Sequence, residues 1–98
     1  MQNLKGASFM LYPYLTLANE IEVLHSHLIT TSDKPVVEVH FEQATDNGLN
    51  EARCILPDYH WIKAEGFSKE NIALFEEFLQ SNAHLIFQYA ECGGLQIA

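Results

Sequence analysis

Basic residues are scarce in this chain of 98 residues. Five Lys and Arg residues stand against 13 Asp and Glu residues, which gives a formal net charge of −8 at pH 7. The few cations are scattered along the sequence, whereas nucleic-acid binding depends on clustered cations that displace the counterions of the phosphate backbone. The composition therefore excludes direct nucleic-acid binding. It favours an acidic, solvated surface of the kind that can attract a basic partner.

Cysteines and long apolar runs are also scarce. Cys54 and Cys92 are far apart and form no C-x-x-C pair, so neither a zinc ribbon nor a disulfide framework is expected. No stretch approaches the roughly 20 apolar residues of a membrane span. We therefore expect a cytoplasmic protein with two reduced thiols and no membrane association. Residues 1–9 are predicted to be a disordered leader, with Met10 as an alternative start.

Motifs of enzyme chemistry are missing as well. The sequence has no glycine-rich nucleotide fingerprint and no Ser or Cys in a nucleophile motif. Asp58 stands two residues before His60 and can orient it as a general base. We prefer the alternative, in which Asp58 is a turn residue and Tyr59 and Trp61 close the core. We therefore predict no catalytic residue and no cofactor, and the balance of the sequence is against an enzyme.

The rest of the composition is that of a folded domain. Hydrophobic residues make up 48% of the chain, and 11% of it is aromatic. A chain of this length suits one domain with a modest core. We therefore treat residues 1–98 as a single domain.

Period-two alternation marks the clearest strand. The strand is predicted at residues 35–42. In residues 37–42 apolar and polar side chains alternate strictly, which predicts one buried and one solvated face. Asn47-Gly48 is a strong reverse-turn signal within a loop predicted at residues 43–50. Residues 51–56 return as the partner strand.

Further strands are predicted at residues 14–17, 21–29 and 59–64. Residues 17–28 also fit helical spacing, with Asn19 as a possible N-cap. We prefer a strand there, because Ile, Val and Thr are frequent and no glycine follows to end a helix.

An amphipathic helix is predicted for the C-terminal third. Ser68 suits the N-cap position, because its hydroxyl can accept a hydrogen bond from a free backbone N–H. Phe67 can pack on Ile72 as a hydrophobic staple. Apolar residues then recur at helical spacing to about Ala90, and Gly93-Gly94 ends the pattern. The buried stripe is predicted to contain Ile72, Phe75, Leu79, Asn82 and Ile86.

Together these elements predict an α+β fold. A small antiparallel sheet of three to five strands would be packed on one face by one C-terminal amphipathic helix.

Three segments carry a family resemblance: residues 36–42, residues 51–56, and Gly66-Phe67-Ser68 followed by Ile72 and Asn82. They resemble a family of small bacterial domains of unknown function. Members of that family show a P-P-H-V-H-V strand, a glutamate-alanine strand, and G-F-S before a helix with a late asparagine. The likeness spans residues 34–91.

The chain departs from the family pattern in its first strand. It lacks the double proline, and it carries Glu38 in place of the first histidine while keeping His40. The family is often described beside toxin–antitoxin partners, so the resemblance implies a bacterial protein with a partner-binding role.

Three histidines form the candidate metal site. His25 and His27 are two residues apart, so on a strand they share one face. If that strand pairs with residues 35–42, His40 joins them together with Glu38 or Glu42. Imidazole and carboxylate ligands suit zinc or another divalent ion. The alternative is that all three are solvent-facing sheet residues, since this spacing is not a metal motif in itself.

Three functions follow from these patterns. The first is a non-enzymatic protein-interaction module, since an open sheet leaves an edge that a protein partner or a second copy can extend into a homodimer. The second is a small metal-binding protein or metal-dependent enzyme that uses His25, His27 and His40. The third is an acidic inhibitor, or antitoxin-like partner, of a basic protein.

Overall fold

Alternating side chains and a short turn organise the chain into one antiparallel sheet. The computed structural model describes residues 10–30 and 33–93, so the leader predicted at residues 1–9 lies outside the described residues. A 3₁₀ turn, Ala18–Glu20, joins the first two strands, and the helix α1 is Lys69–Cys92. The strands are β1 (Leu11–Leu17), β2 (Ile21–Ser26), β3 (Ile29–Thr30), β4 (Pro35–Thr45), β5 (Gly48–Leu56) and β6 (His60–Glu65).

The strand order is β1-β2-β4-β5-β6, and the short β3 pairs with the start of β4. All pairs are antiparallel. The α+β prediction is therefore confirmed, but the described residues form six strands rather than three to five. The excess is β3, a two-residue strand too short for its alternation to be visible in the sequence.

The region that fitted both strand and helix spacing is extended. Ile21–Ser26 is a strand, as preferred. Asn19 lies in the preceding 3₁₀ turn with φ of 64°, a left-handed conformation that asparagine tolerates better than most residues. It therefore turns the chain between two strands and starts no α-helix.

The hairpin of β4 and β5 is longer than expected. Thr45 pairs with Gly48, so the turn has only two central residues, Asp46 and Asn47. The loop predicted at residues 43–50 is wrong, because most of it belongs to the paired strands. A two-residue turn of this kind fixes the register of every pair along the hairpin.

The helix covers one face of the sheet. Val39 and Phe41 of β4 are fully buried in one apolar cluster with Phe75, Leu79 and Ile86 of α1. These helix residues belong to the predicted stripe. Asn82, also in the stripe, is half-buried and accepts a hydrogen bond of 2.7 Å through Oδ1 from the Tyr14 hydroxyl. Within the described residues, no helix has the length and apolar character needed to cross a membrane.

The helix begins where the sequence indicated. The Ser68 hydroxyl accepts a hydrogen bond from the Asn71 N–H, and Asn71 Oδ1 accepts one from the Ser68 N–H, each 3.1 Å long. This reciprocal pair is a capping box with Asn in place of Glu or Gln. The helix ends at Gly93, whose φ of 81° suits a residue without Cβ.

One edge of β4 is covered by two separate strand pieces. At the last residue of β2, the Ser26 hydroxyl accepts a hydrogen bond of 3.0 Å from the Glu38 N–H. The Leu28 N–H instead donates to the carbonyl of Ala90, at 3.3 Å. The interruption therefore ties the sheet to the last turns of the helix.

Candidate metal centre

His40 lies in the middle of β4, on the sheet face opposite the helix. Its neighbours Val39 and Phe41 are fully buried in the cluster with the helix, and side chains alternate along a strand, so His40 points the other way. Its side chain is nevertheless only 5% exposed. A buried imidazole on the face away from the main core needs partners for both ring nitrogens.

Glu38 supplies one of these partners. The distance from His40 Nε2 to Glu38 Oε1 is 2.7 Å, and both side chains are largely buried. An ionised carboxylate only accepts, so Nε2 carries the proton and donates it. In the neutral ring this leaves a lone pair on Nδ1. A carboxylate that orients a histidine through one nitrogen while the other faces a metal is a recurring arrangement in metal sites.

The second ring nitrogen faces two carboxylates. His40 Nδ1 is buried and has no hydrogen-bond partner among the described residues. Glu42 Oε2 and Glu51 Oε2 each lie 3.7 Å from it, beyond hydrogen-bond range. One potential ligand atom from each of these three residues lies within 4.8 Å of the other two. Ligand atoms around a tetrahedral zinc ion are about 3.3 Å apart, so a small contraction would complete such a site.

Strand register explains why these groups meet. Glu42 is paired directly with Glu51 across β4 and β5, and with Glu22 across β4 and β2. Glu51 is paired in turn with Glu65 of β6. We call Glu22, Glu42, Glu51 and Glu65 the glutamate row. Like charges directly opposite each other destabilise a sheet, so the row favours cations between its members.

Two cationic side chains already hold one member of the row. Lys63 Nζ lies 2.8 Å from Glu51 Oε1, and Arg53 Nε lies 3.1 Å from Glu51 Oε2. The hydrogen bond from Lys63, with further help from Arg53, lowers the pKa of Glu51 below its ordinary value despite partial burial. The same contact raises the pKa of Lys63. Glu51 is therefore ionised at neutral pH and fixed in position.

The structure separates the histidines that the sequence grouped. His25 is paired with Val39, so it lies on the helix side of the sheet while His40 lies on the other side. It is fully buried against Tyr12 and Tyr14. Convergence of the three histidines on one ion is therefore corrected: the sheet itself lies between His25 and His40.

His25 and His27 do not share a face either. His25 Nδ1 donates to the Ser26 carbonyl at 2.7 Å, Nε2 is buried without a hydrogen-bond partner among the described residues, and burial lowers the pKa of the ring. His27 is exposed in the interruption after β2. The strand ends at Ser26, and side chains alternate between faces only within a strand. A spacing of two residues therefore does not place His27 on the same face as His25.

The Asp58–His60 pair does not form a catalytic arrangement in the structure. Asp58 Oδ1 instead accepts a hydrogen bond of 2.7 Å from Lys34 Nζ, in an exposed ion pair. His60 is exposed at the start of β6. These contacts agree with the alternative prediction, in which Asp58 is a turn residue.

Glu51 is the site residue that the sequence reasoning missed. It was treated as one more strand residue, although the signal for its position was present. A two-residue turn at Asp46 and Asn47 pairs Thr45 with Gly48, and counting back along both strands pairs Glu42 with Glu51. The extended loop predicted at residues 43–50 hid that register.

Comparison with known proteins returns no match: no protein-family model, no curated protein and no solved structure matches this chain. The resemblance to small bacterial domains therefore stays a prediction. The interpretation of the site depends on its geometry alone.

Proposed function

We propose that this chain is a small metal-binding protein and that His40, Glu42 and Glu51 are its ligands. The observation that supports this function is the buried His40 Nδ1, which has no hydrogen-bond partner among the described residues and faces two carboxylates at 3.7 Å. Of the three histidines predicted from the sequence, this ligand set retains only His40; Glu42 is one of the two flanking glutamates predicted to join, and Glu51 is new.

Energetics favour an ion at this position. A buried polar atom without a partner costs about 1–3 kcal/mol, and two directly opposed carboxylates add repulsion. A divalent ion among the three groups would remove both costs. One imidazole nitrogen and two carboxylate oxygens are ligands that zinc accepts, and three protein ligands leave room for water as the fourth.

The test is metal binding by protein purified without a histidine tag. We expect one zinc ion per chain by chelator competition, and an affinity at least 100-fold lower in His40→Gln. Glu42→Gln removes a ligand charge from a partly exposed side chain, so it should keep the fold and still lose affinity. His84→Gln, at an exposed helix position, is the matched control and should bind as the wild type does.

Two outcomes would refute this function. Wild-type protein that binds neither zinc nor manganese would remove it outright. Equal affinity in wild type, His40→Gln and Glu42→Gln would place any bound ion elsewhere. His27→Gln distinguishes this site from the three histidines predicted from the sequence. Metal affinity should be unchanged if His40, Glu42 and Glu51 are the ligands, and reduced if His27 is one.

A protein-interaction module is the second candidate, and a second copy of the chain is the partner we propose. Within the described residues β6 pairs only with β5, and Ile62 at its centre is 47% exposed. An edge strand with an exposed apolar side chain is suited to pairing with another strand. Light scattering should show a dimer that Ile62→Lys dissociates, whereas Leu74→Lys on the helix leaves it intact. A strict monomer would contradict this candidate.

An acidic inhibitor of a basic protein is the third candidate function that we propose. The glutamate row gives an acidic inhibitor of a basic protein one concentrated surface, and binding of such a partner would weaken steeply with salt. Bacterial origin and cytoplasmic localisation belong to the same proposal. The thiol of Cys54 is buried and not disulfide-bonded, which is compatible with a reducing compartment.

A further inference from the structure

We propose that Lys63 and Arg53 determine which ion the His40–Glu42–Glu51 site selects and how tightly it holds that ion. Lys63 and Arg53 each donate a hydrogen bond to one oxygen of Glu51, so that Glu51 can coordinate an ion through a single oxygen. Such coordination favours zinc over calcium. The two positive charges also keep the affinity moderate. This inference depends on the metal binding proposed above.

The contacts of Glu51 limit how it can coordinate. Oε1 accepts a hydrogen bond of 2.8 Å from Lys63, so chelation through both oxygens would break that ion pair. Oε2 accepts from Arg53 at 3.1 Å, and a carboxylate oxygen has a second lone pair available. It is this oxygen that lies 3.7 Å from His40 Nδ1. Glu51 therefore offers one lone pair of one oxygen to an ion.

That restriction has different consequences for different ions. Calcium takes six to eight oxygen ligands and commonly uses carboxylates through both oxygens. Magnesium requires octahedral coordination, mostly by oxygen and water. Zinc is satisfied by four ligands, including an imidazole nitrogen and single carboxylate oxygens. The burial of His40, only 5% exposed, further limits the water that a larger coordination shell would need.

The two cations also weaken the attraction for any ion. Arg53 is paired with His40 across β4 and β5, and Lys63 is paired with Arg53 across β5 and β6, so both charges are fixed beside the site by the register. Each repels a bound divalent ion and neutralises part of the charge of Glu51. In a partly solvated site, removing one such neighbouring charge should change affinity by about tenfold. With Lys63 and Arg53 present, a bound ion would therefore dissociate readily and exchange with ions in solution.

The experiment compares zinc and calcium affinities in wild type, Lys63→Gln and Arg53→Gln. Both side chains are about one-third exposed, so neutral substitutions should preserve the fold, which circular dichroism can check. We expect zinc to bind about tenfold more tightly in each variant, mainly through slower dissociation. In Lys63→Gln we also expect a smaller preference for zinc over calcium, because Glu51 can then use both oxygens.

Two controls separate local chemistry from net charge. Lys69→Gln removes a cation from the exposed start of α1 and should leave both affinities unchanged. Lys63→Arg keeps the charge and should restore wild-type binding. Zinc affinity that is unchanged or weaker in both Lys63→Gln and Arg53→Gln, while wild type binds zinc, would overturn this inference and leave the metal site standing. Failure of wild type to bind any ion would overturn both.

Discussion

Phe41 of β4 and Phe75 of α1 lie face to face, with ring centroids 4.2 Å apart and ring planes 6° from parallel. Both residues are buried, and Phe67 packs edge-on against Phe75 with a centroid distance of 5.0 Å. Because helix and sheet meet at this stack, it joins the two layers of the fold. The stack also fixes the orientation of β4, and therefore the face on which His40 lies.

Removal of this stack should be costly. We expect Phe75→Ala to lower the free energy of unfolding by about 3–5 kcal/mol, because it removes a buried ring and leaves a cavity. Urea denaturation measures the change. Leu74→Ala, at an adjacent helix position that is 60% exposed, is the matched control and should change stability by about 0.5 kcal/mol or less. A similar loss in both variants would contradict the assignment of the helix face.

The capping box makes a second prediction. Ser68→Ala leaves the Asn71 N–H without its side-chain acceptor, and we expect a loss of about 1 kcal/mol in unfolding free energy. Ser81→Ala, at an exposed position within the same helix, removes a hydroxyl without uncapping the helix and should not destabilise the protein. Equal effects of the two substitutions would show that the cap contributes nothing.

The buried His25 predicts a dependence of stability on pH. Burial lowers the pKa of its ring, so the folded state binds this proton less readily than the unfolded chain, whose imidazole titrates near 6.5. The folded state therefore keeps its full stability above about pH 6.5 and loses it as pH falls toward the folded-state pKa. The slope contributed by one such group reaches about 1.4 kcal/mol per pH unit.

Urea denaturation between pH 7.5 and 5 measures this effect. The groups that face His25 are the rings of Tyr12 and Tyr14. His25→Phe should flatten the profile, and the exposed control His84→Gln should not. A profile that keeps its slope in His25→Phe would assign the pH dependence to another group.

The thiol of Cys54 should be protected from modification in the native protein. Burial raises the pKa of the Cys54 thiol to about 12, and the side chain is fully buried. At pH 8 only about one thiol in ten thousand is then ionised, and the thiolate is the reactive form. Cys92 is exposed. In Cys92→Ser, the remaining thiol should react only slowly with a disulfide reagent in the native protein, and urea should accelerate that reaction. Rapid modification of native Cys92→Ser would contradict the burial of Cys54.

Local sequence patterns were sufficient for most of the fold. Alternation identified the strand at residues 35–42 and the face that packs on the helix, and Ser68 marked the start of the helix. These features depend on neighbours in the chain, so they can be predicted from sequence. The prediction of a solvated opposite face is wrong, because Glu38 and His40 are buried there. The two-residue strand Ile29–Thr30 could not be predicted, because it is defined by its backbone pairing with β4 and not by a pattern of its own.

The candidate site was harder to predict from the sequence than the fold, because it depends on which residues the paired strands bring together. His40 could be placed on a polar face from alternation alone, but its partners depend on which residues oppose it. His25 looked equivalent to His40 until pairing with Val39 placed it on the helix side. Glu51 became recognisable only once the hairpin was known to close at Thr45 and Gly48. Register is a long-range property that composition and spacing do not report.

The two-residue hairpin turn has a consequence for the specificity of folding. If β5 slipped by one residue along β4, its side chains would exchange faces, and Glu51 would leave the side on which His40 and Glu42 lie. An ion held by the three residues would therefore bind only the correctly aligned hairpin. Metal binding and strand alignment would then be linked: a bound ion would stabilise the correct register, and only the correct register would bind the ion.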